Sequence, residues 1–209
     1  MTEAPGIPVE GRAPEGPISP LEHVPADLFR QLDLTELFSR PAPLEVDLGC
    51  GDGTFLTAMA ARHPDRNYLG TERLFGRART TCRKAERAGA ANVRLLRVES
   101  AYVVRHLLPP ASVSRFYVLF PDPWPKRRHW PRRLIQPGFL QDAATALAPG
   151  GQLCIKTDDA PYFDAIRKIA TGCPLLTASP WEEDVPQTDF ERHYAAQGRR
   201  FHSLLLARR

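Results

Sequence analysis

The sequence has few cysteines and no long apolar run, and both shortages exclude classes of protein. None of its apolar stretches approaches the roughly 18–20 residues that a membrane-spanning helix needs. Its four cysteines, Cys50, Cys82, Cys154 and Cys173, form no C-x-x-C pair and have no histidine at zinc-ligand spacing. We therefore expect reduced, mostly buried thiols. The N-terminus lacks the basic start and apolar core of a secretory signal, so we expect a cytoplasmic protein. We expect neither association with a membrane nor a bound metal ion.

Lysine is also scarce, because 24 of the 28 basic side chains are arginine, and the charge is unevenly distributed. The net charge is −7 over residues 1–60, +12 over residues 61–133 and −1 over residues 134–209. Such asymmetry indicates a polyanionic partner, with nucleic acid as the first candidate. For the arginines of residues 73–105, a solvated helix surface is an equal alternative. The run Lys126–Arg133 favours phosphate contact, because five of its eight residues are Lys or Arg.

Hydrophobic periodicity predicts alternating strands and helices after a proline-rich start. Residues 1–25 contain six Pro and three Gly and indicate an extended lead-in, followed by a short helix over 26–39. Strands are predicted over 44–49, 67–72, 93–98, 113–120, 152–157, 174–179 and 201–207. Helices are predicted over 53–63, 74–89, 100–108, 132–147 and 160–170.

This alternation predicts an α/β fold with a doubly wound, mostly parallel sheet of seven strands. We expect residues 1–40 to form a proline-rich N-terminal extension with a short helix, and residues 41–209 to form the main domain. In such sheets, ligands bind at the carboxyl ends of the strands. No clear helix separates the last two strands, which indicates an antiparallel strand that closes the sheet.

The first predicted strand runs into a glycine-rich turn flanked by acids. Asp47–Gly53 has three glycines at alternate positions, which let the backbone approach a ligand closely. Glu72 ends the second strand, where a carboxylate can accept both ribose hydroxyls of a nucleoside. No Walker loop occurs, and Thr54 stands where the dinucleotide fingerprint needs its third glycine. The acids disfavour a pyrophosphate and suit the sulfonium and ammonium groups of S-adenosylmethionine. Glu99 is placed to meet the adenine amino group, although an ordinary acid at a helix N-terminus gives the same pattern.

The fourth predicted strand ends in a proline-rich loop where a methyl acceptor would meet the donor. Phe120–Lys126 reads F-P-D-P-W-P-K, and its three prolines predict a rigid, non-helical loop at the carboxyl edge of the sheet. For Trp124, plain packing is an equal alternative. In the basic run Arg127–Arg133, guanidinium groups can fork onto phosphates and Trp130 can stack on a base.

Together these segments resemble the bacterial tRNA (guanine-N7)-methyltransferases, which are Rossmann-like class I S-adenosylmethionine-dependent methyltransferases. The matching motifs are D-L-G-C-G-D-G (47–53), L-G-T-E (69–72), F-P-D-P-W-P-K-R-R-H-W-P-R-R (120–133), K-T-D (156–158) and T-D-F-E (188–191). They span the chain from about residue 41 onward. The F-P-D-P-W-P-K-x-R-H segment is specific to that family, whereas most class I methyltransferases share the glycine turn. The resemblance implies transfer of a methyl group to N7 of a guanosine in the tRNA variable loop. Either a monomer or a homodimer is expected.

Carried over residue by residue, the resemblance implies three sets of contacts. The cofactor S-adenosylmethionine would contact Asp47, Gly49, Gly51, Glu72, Glu99 and Asp122, with Asp122 also the candidate catalytic residue. The substrate would contact Lys126, Asp158, Thr188, Asp189, Phe190 and Glu191. The RNA would contact Arg128, His129, Trp130, Arg132 and Arg133.

The sequence departs from the family pattern at three places. Asp47 stands where the family usually has Glu, and Trp130-Pro131 interrupts a stretch that is usually more polar and basic. Asp189 stands where the family usually has Lys, so no cationic contact is assigned to it and its role stays open.

Three alternatives remain open at this point. A catalytically inactive RNA-binding module of the same fold would bind tRNA without turnover, but the acids at 47, 72, 99 and 122 argue against it. A second enzyme alternative methylates another RNA or an exocyclic amine. Amino-methyltransferases typically carry a [DN]-P-P-[YF] loop at this place, and P-D-P-W lacks the consecutive prolines. An NAD-dependent oxidoreductase is disfavoured by Thr54 and by the basic loop.

Overall fold

An eight-stranded sheet forms the centre of the protein, whose computed structural model describes residues 17–181 and 183–209. The strands are β1 (Glu22–His23), β2 (Leu44–Leu48), β3 (Asn67–Thr71), β4 (Val93–Leu96), β5 (Val113–Leu119), β6 (Leu147–Thr157), β7 (Leu176–Ser179) and β8 (His202–Arg208). The helices are α1 (Leu34–Leu37), α2 (Thr54–Arg62), α3 (Phe75–Arg87), α4 (Ser100–Tyr102), α5 (Pro137–Ala146), α6 (Ala160–Thr171) and α7 (Asp189–Ala195). A π-helical turn follows α4 at Val103–Leu107, and a 3₁₀ helix covers Arg127–Arg132.

The strand order is β1-β4-β3-β2-β5-β6-β8-β7, and the first six strands in this order are parallel. The strand β8 pairs antiparallel with both β6 and β7. The predicted doubly wound, mostly parallel α/β fold is therefore confirmed, as is an antiparallel strand near the sheet's far side. Leu48 pairs with Thr71, which pairs with Leu96, so the residues that follow β2, β3 and β4 lie side by side at one edge.

Hydrophobic layers cover both faces of the sheet. Val46 of β2 and Phe116 of β5 face a layer to which α5 and α6 contribute Leu140 and Ile166. On the other face, α2 and α3 pack against neighbouring strand residues, and Trp181 covers the part near Tyr117. Within the described ranges, no helix is long and apolar enough to cross a membrane.

The expected count of seven strands is wrong by one, because a short strand precedes them. Residues 1–16 of the expected lead-in lie outside the described residues, but β1 pairs with β4 at the sheet edge. The Glu22 carboxylate is buried and accepts a hydrogen bond from Arg97 at 2.8 Å. Ser19 donates to Glu86 of α3 at 2.6 Å. A two-residue strand has too little alternation to be recognised in a sequence.

The helix predicted over 26–39 is wrong in extent, because only Leu34–Leu37 is helical. The Leu32 amide donates to the Leu107 carbonyl at 2.8 Å, which holds the preceding segment against the π-helical turn. The Asp33 side chain then accepts from the Thr35 amide and begins the helix. A tertiary hydrogen bond has therefore overridden the local leucine spacing.

One later helix prediction and one strand prediction also need correction. The helix predicted over 132–147 begins only at Pro137, whose ring suits the first turn, while Arg133 is extended. The strand predicted over 152–157 begins earlier, at Leu147, and a register irregularity opposite Val113–Arg115 accommodates the Pro-Gly-Gly segment.

The last predicted strands are separated by a helix that the periodicity did not indicate. The helix α7 begins at Thr188, whose hydroxyl accepts a hydrogen bond from the Glu191 amide at 3.0 Å. It has only seven residues, so its apolar pattern covers less than two turns. The chain then returns as β8 into the middle of the antiparallel part of the sheet.

Replacing Glu22 by alanine should destabilise the protein as a core mutation would. The change leaves the Arg97 guanidinium, whose side chain is 20% exposed, without its carboxylate partner. Breaking such a pair from one side costs about 3–5 kcal/mol when it is fully buried, so we expect about 2–4 kcal/mol here. Urea unfolding of Glu22→Ala and wild type measures the difference.

The exposed pair Arg62–Asp184 supplies the control, because the Asp184 side chain is 91% exposed. Asp184→Ala should change the free energy of unfolding by less than about 1 kcal/mol. Equal, small effects of the two substitutions would mean that β1 contributes little to the fold.

Candidate functional site

A cleft opens at the carboxyl ends of β2, β3 and β5, where the strand register predicts a ligand site. It consists of two adjoining cavities of about 290 Å³ and 490 Å³. Both cavities are lined by Gly49, Arg77, Leu119 and Phe120, so they are two parts of one cleft. The smaller part lies beside α7, and the larger part lies between the ends of β3 and β4 and the proline-rich loop.

Asp47 is buried near the end of β2 and lines the smaller cavity. Burial raises the pKa of its carboxyl group to about 8, and the negative charges of Glu72 and Asp52 act in the same direction. Within residues 17–181 and 183–209, no group donates a hydrogen bond to this carboxylate. The site therefore contains a desolvated acid that a positively charged ligand would satisfy.

The glycine turn after β2 is anchored to β3 by its backbone. The amides of Gly49 and Cys50 both donate to the Thr71 carbonyl, at 3.0 Å and 2.9 Å. Gly49 and Gly51 have φ values of +82° and +59°, in the left-handed region, and both line the smaller cavity. A Cβ atom on Gly49 would meet nothing within 4 Å, so the turn presents bare backbone to open space.

Glu72 and Glu99 line the larger cavity, as the sequence predicted for neighbouring strand ends. Glu72 is buried and accepts from the Leu74 amide at 2.8 Å. Glu99 accepts from the Tyr102 amide at 2.8 Å and caps α4, which matches the alternative considered for it. Capping by one carboxylate oxygen leaves the other available to a ligand. Among the described residues, no group of three or more His, Cys, Asp or Glu could hold a metal ion.

The proline-rich loop is non-helical, as predicted, and holds Asp122 in the larger cavity. Two aromatic residues with positive φ values lie on either side of Asp122 in this loop, Phe120 at +55° and Trp124 at +43°. Each of them precedes a proline, and each such backbone conformation costs on the order of 1–3 kcal/mol. The Phe120 amide is fixed by the Lys156 carbonyl at 2.7 Å. Strain concentrated on both sides of Asp122 indicates a loop whose shape is imposed for function.

The basic run after this loop divides into exposed and buried arginines. Arg132 lines the larger cavity and lies over the Trp124 ring at 5.1 Å. Arg133, predicted to contact RNA, is instead buried, lies over the Tyr162 ring at 4.5 Å and donates to the Pro123 carbonyl at 2.7 Å. Its planar guanidinium group thus packs against the proline-rich loop and is turned away from solvent.

The other residues of the run face solvent or pack on the loop. Lys126 and Arg128 are exposed outside the two cavities. His129 packs edge-on against Trp124, with ring centroids 5.5 Å apart. Trp130 is 42% exposed, with the Arg127 guanidinium over its ring at 5.7 Å. This surface combines free cations with an accessible aromatic ring.

The segment at the start of α7 forms the far wall of the smaller cavity. Thr188, Asp189 and Phe190 line it, and the Phe190 ring lies 4.8 Å from that of Phe120. Glu191 is buried and paired with Lys156 at 2.7 Å, so its carboxylate anchors α7 to β6. The matching T-D-F-E segment is thus brought to the cleft, although its last acid points inward.

Asp158 and Asp189 are both engaged in ion pairs. Asp158 pairs with Arg199, outside both cavities. Asp189 pairs with Arg192 and with Lys84 of α3 at 3.4 Å, and accepts from Thr54 at 3.1 Å. Here a lysine from another helix supplies the positive charge beside this position. The sequence carries no signal for Lys84, because it lies 105 positions from Asp189.

The comparisons with known proteins point to methyltransferases. A family model described as "Putative methyltransferase" matches residues 41–204. The tRNA (guanine-N(7)-)-methyltransferase of Halorhodospira halophila is 40% identical over 181 residues, which are 83% of this chain and 78% of that protein.

Solved structures share the architecture at low identity. The 16S rRNA methyltransferase KamB has a TM-score of 0.58 and 18% identity, over 84% of this chain and 91% of that one. The geranyl diphosphate C-methyltransferase from Streptomyces coelicolor A3(2), solved with S-adenosyl-L-homocysteine, has a TM-score of 0.52 and 16% identity, over 84% and 73%. These likenesses establish the fold.

Replacing Asp47 by asparagine should stabilise the protein in alkaline but not in acidic solution. The folded protein keeps the Asp47 proton up to about pH 8, whereas the unfolded chain loses it near the ordinary pKa of 3.8. The wild-type free energy of unfolding therefore falls as the pH rises through this range, and asparagine removes the loss. We expect Asp47→Asn to gain roughly 1–3 kcal/mol at pH 8.5, or about 2–10 °C in Tm, and much less at pH 5.

Scanning calorimetry at both pH values measures this difference. Asp52→Asn is the control, because Asp52 is only half-buried and pairs with Lys84, so its loss should lower Tm slightly. A gain for Asp47→Asn that is the same at pH 5 and pH 8.5 would contradict the raised pKa.

Proposed function

The chain belongs to the family of tRNA (guanine-N7)-methyltransferases, and on that premise we propose that it methylates N7 of a guanosine in tRNA, using S-adenosylmethionine. The observation that supports this best is the buried Asp47 carboxyl group, to which no described residue donates a hydrogen bond, in the same cleft as the strained Asp122 loop. We place the target guanosine in the variable loop, as the family resemblance implies. The catalytic domain would be residues 41–209, with residues 1–40 as its extension, in a cytoplasmic monomer or homodimer.

The acids of the cleft fit the charges of S-adenosylmethionine. Bound there, the cofactor supplies an electrophilic methyl group on a positively charged sulfur. Asp47 would hold the ammonium and sulfonium end beside the turn of Gly49 and Gly51, where backbone is bare. Glu72 would accept the ribose hydroxyls and Glu99 the adenine amino group, both in the larger cavity. The geranyl diphosphate C-methyltransferase, which shares the fold, was solved with S-adenosyl-L-homocysteine, and this supports a cofactor of the same kind.

Methyl transfer to guanine N7 requires little proton transfer by the protein. Guanine N7 has a lone pair in the base plane and no proton to lose, so no general base is needed. The residues accelerate transfer by aligning acceptor and donor, which supplies several kcal/mol. Asp122 would face the positive charge that moves from sulfur to the imidazole ring, and its strained loop fixes that orientation before substrate arrives.

The acceptor base would enter the smaller cavity beside Phe120 and Phe190, whose rings pack on each other and form one apolar wall. To reach it, the guanosine must leave its stack. Thr188 and Asp189 at the same wall could offer polar contacts to the base edge, with Lys126 near the phosphates. Glu191 would act through Lys156, because that pair holds the wall in place.

Binding of S-adenosylmethionine should release close to one proton at pH 6.5. Asp47 carries a proton in the free protein below about pH 8, and a positively charged ligand requires the ionised form. Titration calorimetry in two buffers of different ionisation enthalpy measures the released protons. Asp142→Asn, outside the cleft, should release the same number, and binding without proton release would remove Asp47 from the cofactor site.

The product should be 7-methylguanosine, and Asp122→Ala should lower kcat by roughly 10²-fold, the scale for losing one oriented electrostatic partner. Its affinity for tRNA should change much less, because one carboxylate contributes no phosphate contact. Chromatography of the nucleosides from digested tRNA against 7-methylguanosine and its methyl isomers, with mass detection, identifies the product, and single-turnover kinetics measures the rate. Asp164→Ala, exposed on α6, is the control. Methylation at an exocyclic nitrogen or a ribose oxygen would refute the acceptor assignment, and a wild-type rate for Asp122→Ala would refute the role of that residue.

A further inference from the structure

The solvent-facing side of α3 is rich in arginine. Its buried side contains Ala78, Thr81, Cys82 and Ala85, which pack toward the sheet. Its exposed side carries four arginines, Arg77, Arg79, Arg83 and Arg87. We call these four residues the α3 arginine face. The last three follow an i, i+4, i+8 spacing, so they form one stripe along the helix.

Within residues 17–181 and 183–209, no arginine of the α3 arginine face forms an ion pair. Lys84, on the same helix, shows the contrast, because it pairs with Asp52 and Asp189. Glu86, the acid of α3, accepts a hydrogen bond from Ser19 and is occupied there. Three positive charges on the stripe, and a fourth at Arg77 on the cleft side of the helix, are therefore left without ion-pair partners among the described residues, which creates a positive potential.

The α3 arginine face continues into the acceptor site. Arg77 lines both parts of the cleft, and Arg73, just before α3, lines the larger part together with Arg132 of the basic run. Positive charge thus extends from Arg132, across the cleft mouth, and down α3. Arg79 to Arg87 span about 12 Å at 1.5 Å per residue, equal to three or four nucleotides of a duplex strand.

We propose that the α3 arginine face is a second phosphate-binding surface for tRNA, separate from the basic run Arg127–Arg133. This proposal rests on the proposed function and adds the path that the RNA takes over the protein. The basic run holds the backbone near the target guanosine, and the α3 arginine face holds a neighbouring stretch of backbone on the other side of the cleft mouth. The RNA then crosses directly above the methyl donor.

The test compares two triple variants that remove the same charge from opposite faces of the sheet. The triple variant Arg79→Ala/Arg83→Ala/Arg87→Ala removes the three positive charges of the stripe on α3. The buried side of this helix packs on one face of the sheet. Arg105→Ala/Arg167→Ala/Lys168→Ala removes three exposed cations from elements that pack in the other layer. Alanine is the strongest helix former, so the α3 substitutions should preserve the helix, which circular dichroism checks.

The readout is tRNA affinity across a series of salt concentrations. The α3 variant should weaken binding and lower the slope of log K against log salt by about 2–3, since each lost phosphate contact removes roughly 0.7–0.9. The variant on the opposite face should keep the wild-type slope. At saturating tRNA the α3 variant should retain the wild-type kcat, because its three residues lie outside both cavities.

Two results would overturn the inference. One is a wild-type salt slope in the α3 variant. This includes the case in which the variant loses thermal stability but keeps the slope, which is the result expected if Arg87 only stabilises the helix. The other is an equal loss of slope in both triple variants, which would reflect total charge alone. Either result leaves the proposed function intact if wild-type enzyme still forms 7-methylguanosine, and absence of that product fails the proposed function separately.

Discussion

Like charges held together at the ends of parallel strands are the constraint on which this structure depends. The register of β2, β3 and β4 fixes the residues after them side by side, so Asp47 and Glu72 cannot move apart without breaking the ladder. Burial and mutual repulsion raise the pKa of Asp47, which is a cost to the folded state. The backbone hydrogen bonds of the sheet and the glycine turn offset that cost. A bound cationic ligand would remove this cost to the folded state, and the cleft beside Asp47 has room for one.

Charge of the opposite sign lies just outside this acidic centre. Arg73, Arg77 and Arg132 line the same cleft whose floor is acidic. One cleft can thereby attract a small cation to its floor and a polyanion to its rim.

Much of the fold and of the cleft could be predicted from the sequence. Asp47, Glu72, Glu99 and Asp122 were predicted together because each lies at or just beyond the end of a strand with a clear apolar pattern, and parallel strands align their ends. The features that were missed depend on contacts between distant residues. Neither the pairing of Lys84 with Asp189 nor that of Lys156 with Glu191 has a local signature.

Local patterns also could not decide which arginines of the basic run face solvent. Arg132 and Arg133 are adjacent and chemically identical, yet one lines the cleft and the other is buried over Tyr162. The difference arises from the 3₁₀ helix that ends between them, and a helix of this type is too short to show a period. The two-residue β1 and the seven-residue α7 escaped for the same reason.

The position of β8 has a consequence for how the chain acquires its shape during synthesis. It lies between β6 and β7 yet follows both in the chain, so β6 keeps an open edge until the ribosome has delivered residues 202–208. An apolar strand with an unpaired edge invites pairing with other chains. The nascent polypeptide is therefore most vulnerable to self-association late in its synthesis, when β6 has been made and its partner β8 has not.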